Sequence, residues 1–229
     1  SEGKGILAAD ESNPTCGKRF DSIGVESSEE NRRDYRELLF RSDGMVGNIG
    51  GVILFDETIR QNAADGTPLV DLISSQGALP GIKVDKGLQQ MDDSEESLTQ
   101  GLDGLDERLK EYFALGARFT KWRAVINIGM GLPSSEAISA NMEALADYAK
   151  IVQNNNMVPM VEPEVLMEGD HSIDACYEAT SKCLDSLFSN LSAKGVDIKG
   201  TILKPNMVTS GSAASDRASV EEVAQRTLE

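Results

Sequence analysis

The chain has 229 residues, 40% hydrophobic and 26% charged, enough apolar material for a sizeable core and the wrong balance for intrinsic disorder. Its net charge of −16 and isoelectric point near 4.5 argue against nucleic acid or an anionic membrane surface as partner, since both require cationic faces. No apolar run approaches the roughly 18 residues of a membrane span, and the opening residues SEGKG lack the apolar core of a secretory signal.

In chain order, strand signals alternate with helix signals. A short apolar run at 5–9 stops at Asp10, and a polar helix follows over 29–40 with Ser27 or Ser28 as N-cap. The run at 51–55 has strand length and ends in Asp56-Glu57; short helical stretches at 57–61 and 69–75 come next. A third strand at 81–84 ends at Asp85-Lys86. A helix at 102–115 then stops at Gly116, placed as a C′ glycine. The fourth strand, 117–120, ends near Lys121, and a long helix at 135–154 follows the turn Gly131-Leu132-Pro133. The fifth strand, 157–161, ends at Glu162-Pro163-Glu164. Beyond it Ile173, Cys176, Tyr177, Thr180, Leu184, Leu187, Phe188 and Leu191 form one helical stripe. The sixth strand, 200–203, ends at Lys204-Pro205; 211–219 reads as a βα loop, and a last helix begins near Ser219.

Six βα units with continuous apolar strands imply a parallel sheet covered on both faces. A doubly wound sheet and a TIM (β/α)8 barrel both satisfy that. No GxGxxG or P-loop opens a helix, whereas charged residues end one strand after another, where barrel enzymes place catalytic groups. The expected fold is therefore an α/β TIM barrel, a single domain over residues 1–229 with about six of eight units present and two C-terminal strands missing.

The strand ends present Asp10, Lys86, Lys121 with Arg123, Glu162 with Glu164, and Lys204. Grouped at one end of a barrel they would form a locally cationic pocket in an acidic protein, suited to an anionic substrate. Lys204 stands out. Pro205 disfavours helical geometry before it, and partial desolvation with neighbouring cations would lower an amine's pKa and expose its nucleophilic form. Such an amine can attack a ketone to form an imine; it could instead bind phosphate by charge alone.

The segments GKGILAADES (3–12), GGVILF (50–55), GIKVDKG (81–87), TKWRAV (120–125), VPMVEPEVL (158–166) and ILKPNMV (202–208) closely resemble class I fructose-1,6-bisphosphate aldolase, in order and along essentially the whole chain. The resemblance implies a metal-independent lyase that reversibly cleaves fructose 1,6-bisphosphate in glycolysis, gluconeogenesis or the Calvin cycle, with no cofactor. It implies that Lys204 forms the Schiff base, with Glu162 as general acid/base and Glu164 supporting it. Asp10 would take the C4 hydroxyl proton, and Lys121 would stabilise charge at the substrate hydroxyls. Lys86, Arg123 and Ser12 would position the sugar and its C6 phosphate, with Thr15 standing where the family often has a serine. The family's C1-phosphate site and mobile C-terminal tail are expected beyond residue 229, which leaves activity of residues 1–229 alone in question. The family's usual homotetramer is expected of the full-length protein. Two alternatives share the pattern, another imine-forming aldolase or transaldolase and a non-catalytic aldolase-like scaffold.

Several residues look functional and are read otherwise. His171 is the sole histidine, so a zinc-dependent mechanism lacks its ligands; it is expected in a loop, with no metal site. The acidic run 92–96 lacks EF-hand spacing and reads as a solvated loop. Trp122, between Lys121 and Arg123, is expected to pack away from the pocket. Cys16, Cys176 and Cys183 read as small buried hydrophobes in a reducing compartment, since Cys176 and Cys183 lie roughly 10 Å apart along a helix, beyond disulfide reach. The sequence TCGK at 15–18 is similar to photosynthetic-lineage members, leaving cytoplasm and plastid stroma both open.

Overall fold

The structure, a computed structural model, describes residues 3–91 and 94–229. Asp92 and Asp93 of the acidic run lie outside the described residues. The chain forms two compact units: one runs to Val84 and adds Asp106–Lys121 and Asn155–Met157, and the other holds Asp85–Leu105, Trp122–Asn154 and Val158–Glu229.

In the first unit, β1 (Gly5–Ala9), β2 (Ile49–Leu54), β3 (Leu79–Lys83) and the start of β6 (Phe119–Ile126) lie side by side and parallel. Their apolar runs become the core: Ala9, Val52, Ile53, Leu54 and Ile82 are all buried. Gly81 pairs with Phe119, whose ring lies across the strand, so that a β-carbon at Gly81 would come within 2.3 Å of it. Only glycine fits beneath that ring.

Helices α1 (Asn13–Asp21), α2 (Glu29–Phe40), α3 (Asp56–Ile59), α4 (Leu69–Ser75) and α5 (Leu105–Ala114) belong to this unit, although Leu105 itself falls in the other. Of Ser27 and Ser28, it is Ser28 that caps α2: its hydroxyl accepts from the Asn31 amide at 3.1 Å. The sequence shows no apolar stripe for α1, yet Ser12 caps it and Pro14 sits in its first turn, where a missing N–H is harmless.

The buried row of α2 is Arg32, Arg36 and Phe40, spaced four apart. Arg32 donates from Nε and Nη2 to the two carboxylate oxygens of Glu57 at 2.8 and 2.7 Å. That fork holds the Glu57 carboxyl below its usual range. A depressed carboxylate contributes stability above its unfolded pKa of about 4.3 and loses it as pH falls through the lower folded value. Glu57→Gln is therefore expected to lower stability by about 1–3 kcal/mol at pH 7. Urea melts of variant and parent should converge at acid pH; an equal gap at both pH values would contradict this.

The second unit takes β6 from Trp122 onward, with β7 (Val158–Val165) beside it and β8 (Ile202–Leu203) parallel to β7. It also contains α6 (Ser135–Asn154), α7 (Ile173–Ala193) and α8 (Val220–Leu228), and a hairpin of β4 (Leu88–Gln90) with β5 (Ser97–Thr99). The hairpin, too short and polar to read from sequence, is tied down by Thr99, whose hydroxyl donates to the Arg123 carbonyl at 2.8 Å. Asn141 of α6 also holds it, donating to the Ser97 carbonyl at 2.9 Å.

Two strands run past their expected ends. β6 continues to Ile126 and β7 to Val165, so Lys121, Arg123, Glu162 and Glu164 lie within strands and do not follow them. A charged residue ends an apolar run in sequence, but the ladder needs only backbone groups, and each of these charges finds an opposite one. Trp122 is fully buried, its ring 5.3 Å from that of Tyr148. All three cysteines are free and buried, and burial pushes the Cys183 thiol up to about 12. Among the described residues no helix is long and apolar enough to cross a membrane.

Candidate active site

In the first unit, Asp10 follows the last residue of β1 and is buried. Lys121 of β6, equally buried, donates to its Oδ2 at 2.8 Å. Two groups 111 residues apart in sequence thus form one ion pair with little solvent around it. Ser12 and Thr15 sit at the start of α1, their hydroxyl oxygens 3.0 Å apart. Thr15 is exposed, and the Ser12 hydroxyl accepts from the Thr15 amide as the helix cap.

The segment that carries Asp10 is held from behind by a residue that hydropathy places on the polar side of a helix. Arg36 of α2 is completely buried; it donates from Nε to the Ala9 carbonyl at 3.2 Å and from Nη2 to the Glu11 carbonyl at 2.5 Å. These are the carbonyls of the two residues on either side of Asp10. The Glu11 carboxylate also approaches Arg36 at 3.7 Å and pairs with Arg19. Since a hydropathy pattern assigns arginine to solvent, the spacing Arg32-Arg36-Phe40 is the one signal in the sequence that points to it.

In the second unit, Lys204 directly follows β8, and its amide donates to the Val161 carbonyl at 2.9 Å, adding one rung to the β7–β8 ladder. Its Nζ contacts Oε1 of Glu162, a side chain 5% exposed against 43% for that of Lys204. The difference matters: the carboxyl is sheltered while the amine remains open to a ligand. Two residues along β7, Glu164 pairs with Nε of Arg123. Lys86 lies beyond the end of β3 at the root of the hairpin, its amide bonded to the Gln100 carbonyl at 2.7 Å and its side chain exposed.

The loops after β7 and β8 are fastened together. Gly211, Ser212 and Ala213 donate to the carbonyls of His171, Met167 and Gly169 at 2.8, 2.7 and 2.8 Å. A β-carbon on Gly211 would fall 2.2 Å from the Gly169 carbonyl oxygen, so the close approach requires glycine. His171 does lie in a loop, as expected, but it is buried, and its two ring nitrogens have no partner among the described residues. Among the described residues no three histidine, cysteine or acidic side chains are grouped to hold a metal.

Chemically, the arrangement offers a lysine amine touching a sheltered carboxyl, which can exchange a proton with it, and a buried carboxylate held by a second lysine. Carboxylate–ammonium pairs of this kind can move protons at a carbonyl centre without a metal.

Comparison with known proteins identifies the family. The family model for fructose-bisphosphate aldolase class-I matches residues 1–229. A probable fructose-bisphosphate aldolase class 1 of Xanthomonas campestris pv. campestris is 55% identical over 99% of this chain and 68% of its own length. The cytosolic fructose-bisphosphate aldolase 6 of Arabidopsis thaliana is 52% identical over 99% of this chain and 63% of its own. Among solved structures, the Plasmodium falciparum fructose-bisphosphate aldolase, in complex with TRAP and a small-molecule inhibitor, matches with a TM-score of 0.97 and 48% identity. That match covers 100% of this chain and 67% of the other. The parallel strands β1, β2, β3, β6, β7 and β8 are accordingly six of the eight strands of a TIM barrel. The chain belongs to the class I fructose-bisphosphate aldolase family.

Proposed function

We propose that the protein reversibly cleaves fructose 1,6-bisphosphate into dihydroxyacetone phosphate and glyceraldehyde 3-phosphate through an imine on Lys204. The observation that carries this reading is the contact between the Lys204 amine and the Glu162 carboxyl at the end of β8. An ammonium cannot attack a carbonyl. Transfer of its proton to Glu162 frees the lone pair and leaves a carboxylic acid beside the reacting carbon.

The amine adds to the C2 ketone, and Glu162 returns its proton to the departing hydroxyl, which leaves as water. The resulting iminium draws electrons from the C3–C4 bond. Asp10 takes the C4 hydroxyl proton as that bond breaks, C4 becomes the aldehyde, and the electron pair is held as an enamine. Protonation at C3 and hydrolysis of the imine release the second triose phosphate and restore the amine.

In this scheme Lys121 keeps Asp10 oriented and offers positive charge to the substrate hydroxyls, and Glu164 supports the carboxyl chemistry of Glu162. Lys86, Arg123, Ser12 and Thr15 hold the sugar and its C6 phosphate. Charge-assisted contacts to the phosphate fix one end of the substrate and so align the reacting bond. Residues 1–229 are taken as parts of one barrel domain, since the family match runs through them unbroken. The full-length protein is proposed to be a homotetramer with sugar bisphosphate, and neither nucleic acid nor membrane, as partner. Its compartment is the cytoplasm or the plastid stroma, with the cytosolic Arabidopsis relative favouring the former.

The full-length protein, incubated with fructose 1,6-bisphosphate, should release both triose phosphates at a rate unchanged by a chelator. Activity abolished by the chelator and restored by a divalent metal would sink the reading.

A further inference from the structure

We propose that Asn206 is a positioning residue for Lys204, locking the amine-bearing segment to β7 and α7 through its side-chain amide. This rests on the imine reading of Lys204 and deepens it.

The problem Asn206 addresses is visible in the ladder. β8 has two residues, paired as Met160 with Ile202 and Val161 with Leu203, and the amide of Lys204 adds one more bond, to Val161. The next residue of β7 to face β8 is Pro163, which has no N–H to offer the Lys204 carbonyl. β7 runs on for four residues past Val161, and Glu162 is the first of them. Backbone pairing with β8 therefore stops at the point where the Lys204–Glu162 contact has to be maintained.

Asn206 supplies the missing rung with its side chain. Its Oδ1 accepts from the amide of Val165, the last residue of β7, at 3.1 Å. Its Nδ2 donates to Oγ1 of Thr180 on α7 at 3.2 Å and to the Met207 carbonyl at 3.1 Å. Lys204 is thus bracketed. A backbone bond ties it to Val161 on one side of Glu162, and a side-chain bond two residues later ties the segment to Val165 on the other. Thr180 is buried, so its hydroxyl is a fixed anchor. The fastened loops beginning at Gly211 hold the segment farther along, but they do not fix the residues next to the lysine.

The amide is suited to this in a way few side chains are, because it accepts and donates at once from one plane. Leucine, of similar size, would do neither. The lysine side chain is long and flexible, so its terminal nitrogen is only as well placed as its α-carbon. A displacement of about 1 Å at a reacting atom can cost roughly a hundredfold in rate.

The test uses the full-length protein and compares steady-state kinetics with the rate of borohydride-trapped adduct formation at Lys204. Asn206→Ala is expected to lower kcat about 10- to 100-fold with KM for fructose 1,6-bisphosphate changed by less than about threefold, and to slow trapping in proportion. Thr180→Val should lower kcat about 3- to 10-fold in the same pattern, and Thr180→Ser, which keeps the hydroxyl, should restore it. Parental kcat and trapping in Asn206→Ala would overturn the proposal. Should that variant fail to fold, the Thr180 pair decides: Val impaired with Ser restored supports the clamp, and Val equal to the parent overturns it. A parent enzyme that turns over but yields no adduct at Lys204 overturns the imine reading and the clamp together; a parent that yields one, with variants trapping equally fast, overturns the clamp alone.

Discussion

Lys204→Arg is expected to lower kcat/KM for fructose 1,6-bisphosphate cleavage by roughly four orders of magnitude or more while leaving the protein folded. Arginine keeps the positive charge and can still pair with Glu162. Its guanidinium does not deprotonate near neutrality, however, so no lone pair is available for attack on the ketone. The Lys204 side chain is 43% exposed, its backbone bond to Val161 is untouched by the substitution, and the guanidinium leaves the buried Glu162 carboxylate paired, so little stability is lost. The thermal midpoint should move by less than about 2 °C, as for an exposed substitution. A variant that retains more than a tenth of parental kcat/KM would show that charge, and not nucleophilicity, is what position 204 contributes.

Arg36→Met is expected to lower stability by about 3–5 kcal/mol, more than Glu57→Gln, read as a lower urea midpoint with an unchanged m-value. The guanidinium is wholly buried, and methionine can fill much of its volume. What methionine cannot do is donate to the carbonyls of Ala9 and Glu11, or offset the nearby Glu11 carboxylate. Removing one partner of a buried polar set leaves the others desolvated and unpaired, which is far more damaging than exchanging the whole set for apolar groups. The site is affected too, since the two carbonyls flank Asp10: kcat should fall in whatever fraction remains folded. A midpoint shift equivalent to less than about 1 kcal/mol would mean that Arg36 is not the anchor of this segment.

What the sequence makes legible follows from where patterning carries information. The strand at Gly5–Ala9 and the helices Glu29–Phe40, Leu69–Ser75 and Ser135–Asn154 fall where apolar periodicity and caps put them. The strands β6 and β7 outrun their apolar runs, because a hydropathy pattern breaks at the first charge, although Lys121 and Glu162 are both buried inside the ladder. Buried charge is the common thread. Neither Arg36 nor the acid–base pairings can be read from hydropathy, which treats every charge as solvated.

Pairing is also a long-range fact. The partners Lys121 and Asp10 lie 111 positions apart, and Lys204 and Glu162 lie 42 apart. Motif resemblance singles these residues out as individuals; the fold determines which touches which. Asn206 stands in plain view within ILKPNMV, yet an asparagine after a proline reads as a turn. Its role depends on where β8 stops, which only the ladder reveals.

The most direct measurement is peptide mapping of the full-length protein after borohydride reduction in the presence of fructose 1,6-bisphosphate. The mechanism requires one stoichiometric sugar-phosphate adduct, on the peptide that contains Lys204. An adduct confined to Lys121 or Lys86, or none at all from an enzyme that is turning over, would contradict it.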